Sequence, residues 1–150
     1  MCELTKNIRW NKVLLSGFIY LVIAAIVRQI EAIITMNYYK MPAYFGLWSK
    51  VMMPKAGHPP LKFFLISFLF SLLTGITLAV LYEIIKEKLE KKYWMRILNF
   101  TLLTAWLSLI FFTLPVYLIF NAPIALILCW FVSATVIFFL ATIVFTKILK

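Results

Sequence analysis

The chain has 150 residues, a formal net charge of +10 and 65% hydrophobic residues, while only 13% of its residues are charged. Soluble globular domains have about 45–50% apolar and about 25% charged residues. A water-soluble domain of this length cannot bury so much apolar surface. The composition therefore excludes a soluble enzyme, a soluble nucleic-acid-binding protein and a disordered regulator, and it indicates an integral membrane protein.

Four apolar segments are long enough to cross a membrane, because a helix needs about 20 residues to span a hydrocarbon core of about 30 Å. They cover residues 13–36, 63–85, 97–120 and 124–146. No segment alternates polar and apolar residues as a membrane β-strand does. The sequence predicts an all-α fold. We expect a single domain, a polytopic membrane protein whose four transmembrane helices form an antiparallel bundle.

The first span carries two charged residues, Arg28 and Glu31, inside its apolar run. They share one helical face with Gly17, Leu21, Ala24 and Thr35, because successive positions are separated by three or four residues. A charge inside the bilayer is costly, and the spacing of three allows the two side chains to pair and reduce that cost. The pair is therefore the candidate intramembrane polar site.

Three interpretations of this pair are open. In the first, the span ends near residue 27 and residues 28–40 form an interfacial helix. In the second, the pair is a structural clasp that reaches hydroxyl groups on the second and third spans. In the third, Glu31 is a titratable site for protons or cations and Arg28 tunes it.

Each span also has a face of small or hydroxyl-bearing residues, which is typical of close helix packing in membranes. Packing is the favoured interpretation of these faces, and a polar conduit is the alternative. Pro115 is expected to kink the third span, since proline lacks a backbone N–H. The residues that would line a conduit or pack the helices are Thr35, Ser71, Thr74, Thr104 and Ser108.

Residues 37–62 form the only long connection, which is rich in aromatic residues and methionine. Residues 43–53 lie between two prolines, so we expect an interfacial outer loop helix there, at the headgroup level across the bundle mouth. The loop also holds the only histidine, His58, close to Met52 and Met53. Imidazole and thioether groups suit Cu(I), which makes these three a weak metal candidate. No other metal site and no cofactor is predicted.

Basic residues are distributed unequally between the two ends of the predicted bundle. Ten Lys and Arg residues flank the spans on the side of the N-terminus, against four on the other side. This bias favours cytoplasmic N- and C-termini in a prokaryotic inner or plasma membrane. On the cytoplasmic side, Glu83 and Lys86 are expected to form a solvated helix-end pair.

The sequence offers little support for an enzyme, since it has no aspartate, a single histidine and no recognisable nucleophile motif. The favoured function is a structural or interaction subunit, or a homo-oligomeric scaffold, whose partners are the lipid bilayer and itself or other membrane proteins. Nucleic acid is not an expected partner. The alternative is a small oligomeric transporter, or a proton or cation conduit, that uses Arg28 and Glu31.

A short four-span chain with a glutamate in its first span resembles the small multidrug resistance transporters in layout. That resemblance implies a transport role for Glu31. Arg28, three residues before Glu31, departs from the pattern of those transporters.

Overall fold

A computed structural model of the chain describes residues 8–53 and 58–150. In chain order its helices are α1 (Trp10–Ile34), α2 (Met36–Lys40), a 3-10 helix (Pro42–Leu47), α3 (Leu61–Ile85), α4 (Tyr93–Ser108), a π turn (Leu109–Thr113), α5 (Leu114–Ile119) and α6 (Ile124–Ile148). The described part of the chain has no strand. The fold is all-α, as the composition and the long apolar runs predict.

Four helical stretches in the described residues are long and apolar enough to cross a membrane, with mean hydropathy between 2.1 and 2.6. They are α1, α3, α6 and the continuous stretch Tyr93–Ile119 that joins α4, the π turn and α5. Three of them begin two to four residues before the predicted apolar runs. The helical hydrogen bonds continue into the aromatic and basic residues that flank each run, such as Trp10 and Trp94.

Two of the four spans form the centre of the bundle. α1 packs along α6, while α3 packs against the other side of α1 and α4 packs on α6. The axes of α1 and α3 approach closely where Gly17 lies beside Gly75. A Cβ atom added to Gly75 would lie 2.7 Å from the Cβ of Tyr20 and 2.8 Å from the Gly17 carbonyl oxygen. The glycine faces noted in the sequence therefore serve close helix packing at this crossing.

The hydrophobic core lies toward one end of the bundle, which we call the short-loop end because residues 86–92 connect α3 and α4 there. Three aromatic rings, those of Tyr82, Phe100 and Phe145, meet with centroids 5.1 to 6.4 Å apart. The Tyr82 hydroxyl lies 3.1 Å from Thr146 Oγ1, so its polar atom is paired as well. These contacts join α3, α4 and α6.

Glu83 corrects one sequence expectation at the short-loop end. Its side chain is only 7% exposed, and its Oε1 lies 3.2 Å from Arg9 Nε and 3.1 Å from Lys86 Nζ. Lys86 Nζ also donates to the Leu149 carbonyl oxygen at 2.8 Å. Glu83 and Lys86 therefore form the expected pair, but the prediction that this pair is solvated is wrong. The pair is part of a largely buried ion cluster, since the start of α1 and the end of α6 converge on the end of α3.

The opposite end, called the long-loop end because residues 35–53 lie there, is packed more loosely. None of residues 61–74 of α3 is buried, and α5 contributes no buried residue either. α5 also makes few contacts with α6, in contrast to α4. The bundle is therefore tightly packed at its short-loop end and loosely packed at its long-loop end.

The predicted interfacial loop helix is present but shorter than expected. Helical structure covers Pro42–Leu47, where proline occupies the first turn as it does in many helices. Trp48 then adopts an extended conformation, with φ −80° and ψ 135°, and ends the helix. Ser49 starts a separate turn, because its Oγ accepts a hydrogen bond from the Met52 N–H at 3.2 Å. The prediction of one helix over residues 43–53 is therefore wrong for its second half.

The expected distortion of the third span at Pro115 takes the form of a π turn just before it. Over Leu109–Thr113 the backbone winds more widely, and the Leu114 N–H bonds the Leu109 carbonyl oxygen five residues back. The Thr113 hydroxyl donates to the Ser108 carbonyl oxygen at 3.3 Å. A π turn re-pairs backbone groups where proline interrupts the regular ladder, so the span continues to Ile119.

Candidate functional site

The candidate site lies at the long-loop end of α1. This helix continues without a break through Arg28 and Glu31 to Ile34. Arg28 lies six residues before the end of α1, a distance of about 9 Å along the axis. No separate helix therefore begins at residue 28, while the position of the membrane boundary along α1 stays a prediction.

Glu31 is almost fully enclosed, with its side chain 9% exposed, and its carboxylate is held by hydroxyl groups. Thr35 Oγ1 lies 2.8 Å from Glu31 Oε1 and also 2.8 Å from the Glu31 carbonyl oxygen. A hydroxyl has one proton, so it donates to one of the two at a time. The Tyr39 hydroxyl lies 3.4 Å from the same Oε1. The carboxylate thus has donors that replace part of its lost hydration.

Arg28 connects α1 to α6 across the bundle. Its Nη1 donates a hydrogen bond to Ser133 Oγ at 3.0 Å, and Ser133 Oγ in turn donates to the Trp130 carbonyl oxygen at 3.0 Å. The nearest carboxylate oxygen, Glu31 Oε2, is 4.0 Å away, which is an ion pair without a hydrogen bond. The clasp interpretation expected hydroxyl groups from the second and third spans. The structure brings Arg28 to a hydroxyl of the fourth span instead.

Three aromatic side chains cover the carboxylate on the loop side. Trp130 Nε1 donates to the Tyr39 hydroxyl at 2.9 Å. The Trp48 ring lies 4.9 Å from the Tyr39 ring and 6.3 Å from the Trp130 ring, measured between centroids. Burial raises the pKa of the Tyr39 phenol, against the opposing effect of the Trp130 hydrogen bond. Tyr39 therefore stays protonated and able to donate near neutral pH.

The Arg28–Glu31 cluster thus contains Arg28, Glu31, Thr35, Tyr39, Trp48, Trp130 and Ser133, of which the sequence analysis named the first three as site residues. A signal for Tyr39 was present, because residue 39 lies four positions after Thr35 and continues the same helical stripe. Trp48 and Trp130 had no such signal, since their neighbours come from distant parts of the chain.

The remaining predicted lining residues lie apart from this cluster. Thr74 and Thr104 donate to carbonyl oxygens of their own helices, Thr74 to that of Phe70 at 2.8 Å. Ser71 is half-buried in α3, and Ser108 stands at the start of the π turn. Of the five predicted lining residues, the structure brings Thr35 alone into hydrogen-bond contact with the Arg28–Glu31 cluster among the residues it describes.

The weak copper candidate is only partly described. His58 is exposed, Met52 is half-buried and Met53 is buried, while the residues between Met53 and His58 lie outside the described part. Among the described residues, no group of three or more His, Cys, Asp and Glu side chains is placed to hold a metal ion. The Cu(I) suggestion remains a prediction from the sequence.

A scan against protein-family models matched no family, and searches among curated proteins and solved structures found no significant match to the chain. The functional argument therefore depends on the residues themselves. A guanidinium and a carboxylate that are this close can fasten helices, bind an ion or hold a charged headgroup.

Proposed function

We propose that this chain is a structural or interaction subunit of a membrane, and that it assembles laterally as a homo-oligomeric scaffold. The observation that carries the proposal is the uncovered face of α3. Its one packed face holds Gly75, Ala79 and Tyr82, which are buried against the rest of the bundle. Most of its remaining surface, above all that of residues 61–74, is left to lipid or to a partner.

The opposite face of α3 has the residues that membrane helices use to associate. Phe70 and Thr77 are exposed there, nearly half a turn away from the packed face, and Thr74 is exposed at the edge of the same surface. Both threonine hydroxyls donate to carbonyl oxygens of α3 itself, at 2.8 and 2.9 Å, so neither is an unpaired polar group in lipid. Stripes of small and hydroxyl-bearing residues allow close helix contact and modest interhelical hydrogen bonds.

The Arg28–Glu31 cluster supports the same proposal. Glu31 is enclosed and has two hydroxyl donors, which suits a fastening between α1, the loop and α6. In a permanently open conduit the carboxylate would face water. The lipid bilayer and a second copy of the chain are thus the proposed partners.

Cysteine cross-linking tests the proposed face. After both native cysteines, Cys2 and Cys129, are replaced, Thr77→Cys should form a disulfide-linked dimer in native membranes. Leu140→Cys is the matched control, because Leu140 is exposed on α6 and, like Thr77, lies eight residues before its helix ends. Equal cross-linking of the two variants, or none, would count against association through α3.

The proposed orientation places the short-loop end in the cytoplasm of a prokaryote. The start of α1, residues 86–92 and the end of α6 are together at that end, and the clustered lysines and arginines flank it. Basic residues favour the cytoplasmic side of a membrane. Fusing a reporter that is active only in the cytoplasm to the C-terminus should give activity, while one active only outside should give none.

A proton or cation conduit is the second candidate, and one observation favours it. Arg28 is 45% exposed although it lies within the span, so its charge is not sealed inside the bundle. If Glu31 carries the ion, Glu31→Gln should abolish proton or cation flux into vesicles that contain the purified protein and preserve its folding. Unchanged flux in Glu31→Gln would exclude this role for the carboxylate.

A further inference from the structure

Arg28 lies on the inward face of α1 and is nevertheless accessible. Its stripe partners Gly17, Ala24, Glu31 and Thr35 are all buried. Arg28 shares their face and reaches α6, yet 45% of its side chain is exposed. The space beside it is therefore open, which agrees with the loose packing of α3 and α5 at this end of the bundle.

A bundle whose 25-residue helices are centred in the bilayer places the guanidinium below the level of the lipid headgroups. Its partner Ser133 is nine residues inside α6, about 13 Å from the first residue of that helix. A 25-residue helix is about 37 Å long, so it extends only about 4 Å beyond each side of a hydrocarbon core of about 30 Å. Arg28 and Ser133 thus lie roughly 5–9 Å inside the hydrocarbon boundary. At this depth a cation is costly, and one hydrogen bond to Ser133 with an ion pair to Glu31 at 4.0 Å compensates Arg28 only in part.

The described residues leave most of the Arg28 donors free. A guanidinium has five N–H donors, and the bond to Ser133 uses one of them. Glu31 is the only acid among the described residues at the long-loop end. Its Oε1 is held by Thr35 and Tyr39, and its Oε2 forms an ion pair with Arg28 at 4.0 Å without a hydrogen bond. The exposed lysines Lys40, Lys50 and Lys62 lie at the same end. The described part of the long-loop end therefore has a net positive charge, and the side chains around it are mostly apolar.

We propose that Arg28 binds the phosphate of an anionic phospholipid that occupies the loosely packed long-loop half of the bundle. Arginine matches phosphate oxygens with paired N–H donors, and local thinning of the bilayer with snorkelling brings a headgroup to this depth. The acyl chains would run from the phosphate toward the bilayer centre, where exposed apolar side chains of α3 such as Leu69 and Leu73 would contact them. A cation within an apolar surround selects an anionic amphiphile over a zwitterionic one.

Native mass spectrometry of the purified full chain tests this site, by measuring how much phosphatidylglycerol and how much phosphatidylcholine the protein retains. Wild type should retain phosphatidylglycerol about tenfold more strongly, as expected for one charge-assisted contact. Arg28→Gln should lose that preference, and Lys62→Gln, which removes a surface cation at the same end, should keep it. Equal binding of both lipids by wild type, or a preference that survives Arg28→Gln, would overturn the proposal.

A second measurement uses the unaltered protein, so it does not depend on the folding of a variant. Phosphatidylglycerol with a photoreactive group on its acyl chain should label residues 67–74 of α3 or the part of α1 that precedes Arg28. A phosphatidylcholine probe with the same group should label them weakly. Phosphatidylglycerol labelling confined to the short-loop end, or identical labelling by the two probes, would contradict a specific site at Arg28.

Discussion

Glu31 is an acid inside an apolar span, and its neighbours supply hydrogen bonds in place of water. Thr35 and Tyr39 donate from positions four and eight residues further along the chain. The carboxylate is therefore held by its own segment of chain, while Arg28 contributes charge from 4.0 Å. Local donors of this kind reduce the cost of a buried charge without requiring a buried, fully formed salt bridge.

Replacing Glu31 by alanine should destabilise the protein. Glu31→Ala removes the acceptor of the Thr35 and Tyr39 hydroxyls and leaves Arg28 without its nearest negative charge. We expect the free energy of unfolding to fall by about 1–3 kcal/mol. Thermal unfolding in lipid nanodiscs measures the loss. Glu87→Ala is the control, since Glu87 is exposed, and an equal loss in that variant would contradict the fastening role of Glu31.

The Tyr39 phenol should make the stability of the folded protein depend on pH. Burial raises its pKa above the ordinary value of about 10, so the folded protein holds the proton more tightly than the unfolded chain. The contribution of this group to stability is complete below pH 10 and is lost as the pH rises through the raised folded pKa. The stability difference between wild type and Tyr39→Phe should therefore shrink above about pH 10.

Thermal unfolding at a series of pH values between neutral and strongly alkaline measures this difference. Subtracting the stability of Tyr39→Phe from that of wild type removes the contribution of lysine titration, which the two proteins share. Tyr38→Phe, which alters the neighbouring residue of α2, is the control and should leave the alkaline loss of stability in place. A difference between wild type and Tyr39→Phe that stays constant with pH would argue against a buried, protonated phenol.

At the scale of elements, the crossing of α1 and α3 depends on the absence of a side chain at Gly75. In Gly75→Ala the new methyl group would lie within 3 Å of Tyr20 Cβ and the Gly17 carbonyl oxygen, and backbone cannot move aside as a flexible side chain can. Overpacking of this kind costs about 1–3 kcal/mol, which exceeds the roughly 1 kcal/mol that alanine gains over glycine in a helix.

Gly75→Ala should therefore lower the midpoint of thermal unfolding. Gly46→Ala is the matched control, because an added Cβ at Gly46 meets no atom within 4 Å. We expect it to leave the midpoint nearly unchanged. A Gly75→Ala protein as stable as wild type would mean that α3 moves away from α1 without cost.

At the scale of the whole molecule, the two ends of the bundle are held by different interactions. Aromatic packing and the ion pairs of Glu83 hold the short-loop end. The Arg28–Glu31 cluster holds α1, the loop and α6 at the other end, while α3 and α5 remain loosely packed there. We expect unfolding to begin in the long-loop halves of α3 and α5, because they have few buried contacts.

Glu83 should contribute to the stability of the whole bundle, since it joins the start of α1 to the end of α3 and, through Lys86, to the end of α6. Glu83→Gln keeps an acceptor but leaves Arg9 and Lys86 without a counter-charge. The cost should be about 2 kcal/mol, less than the roughly 3–5 kcal/mol of a fully buried pair, because Arg9 is 37% exposed.

Chemical denaturation in mild detergent measures that cost, and Glu87→Gln provides a comparison at an exposed acid of the same helix end. The loss should appear in Glu83→Gln alone. Equal stability of Glu83→Gln and wild type would show that the ion cluster contributes nothing beyond the neighbouring aromatic contacts.

The sequence by itself determined the four spans, their antiparallel succession and the position of the charged pair within the first span. In lipid every backbone polar group must bond within its own helix, so an apolar run of sufficient length specifies a span without reference to its neighbours. The three-residue link at residues 121–123 likewise makes the last two spans adjacent. Stripes at intervals of three and four predicted which residues share a face.

Only the tertiary structure decided what those faces meet. It assigned Ser133 of α6 to Arg28, enclosed Glu83 with Arg9, and left α3 and α5 loosely packed around an accessible guanidinium. Helical periodicity predicts the direction in which a side chain points from its helix axis, but it does not predict the distance to another helix. That distance depends on which small residues meet at a crossing, as Gly17 and Gly75 do, and it is a property of pairs of segments far apart in sequence.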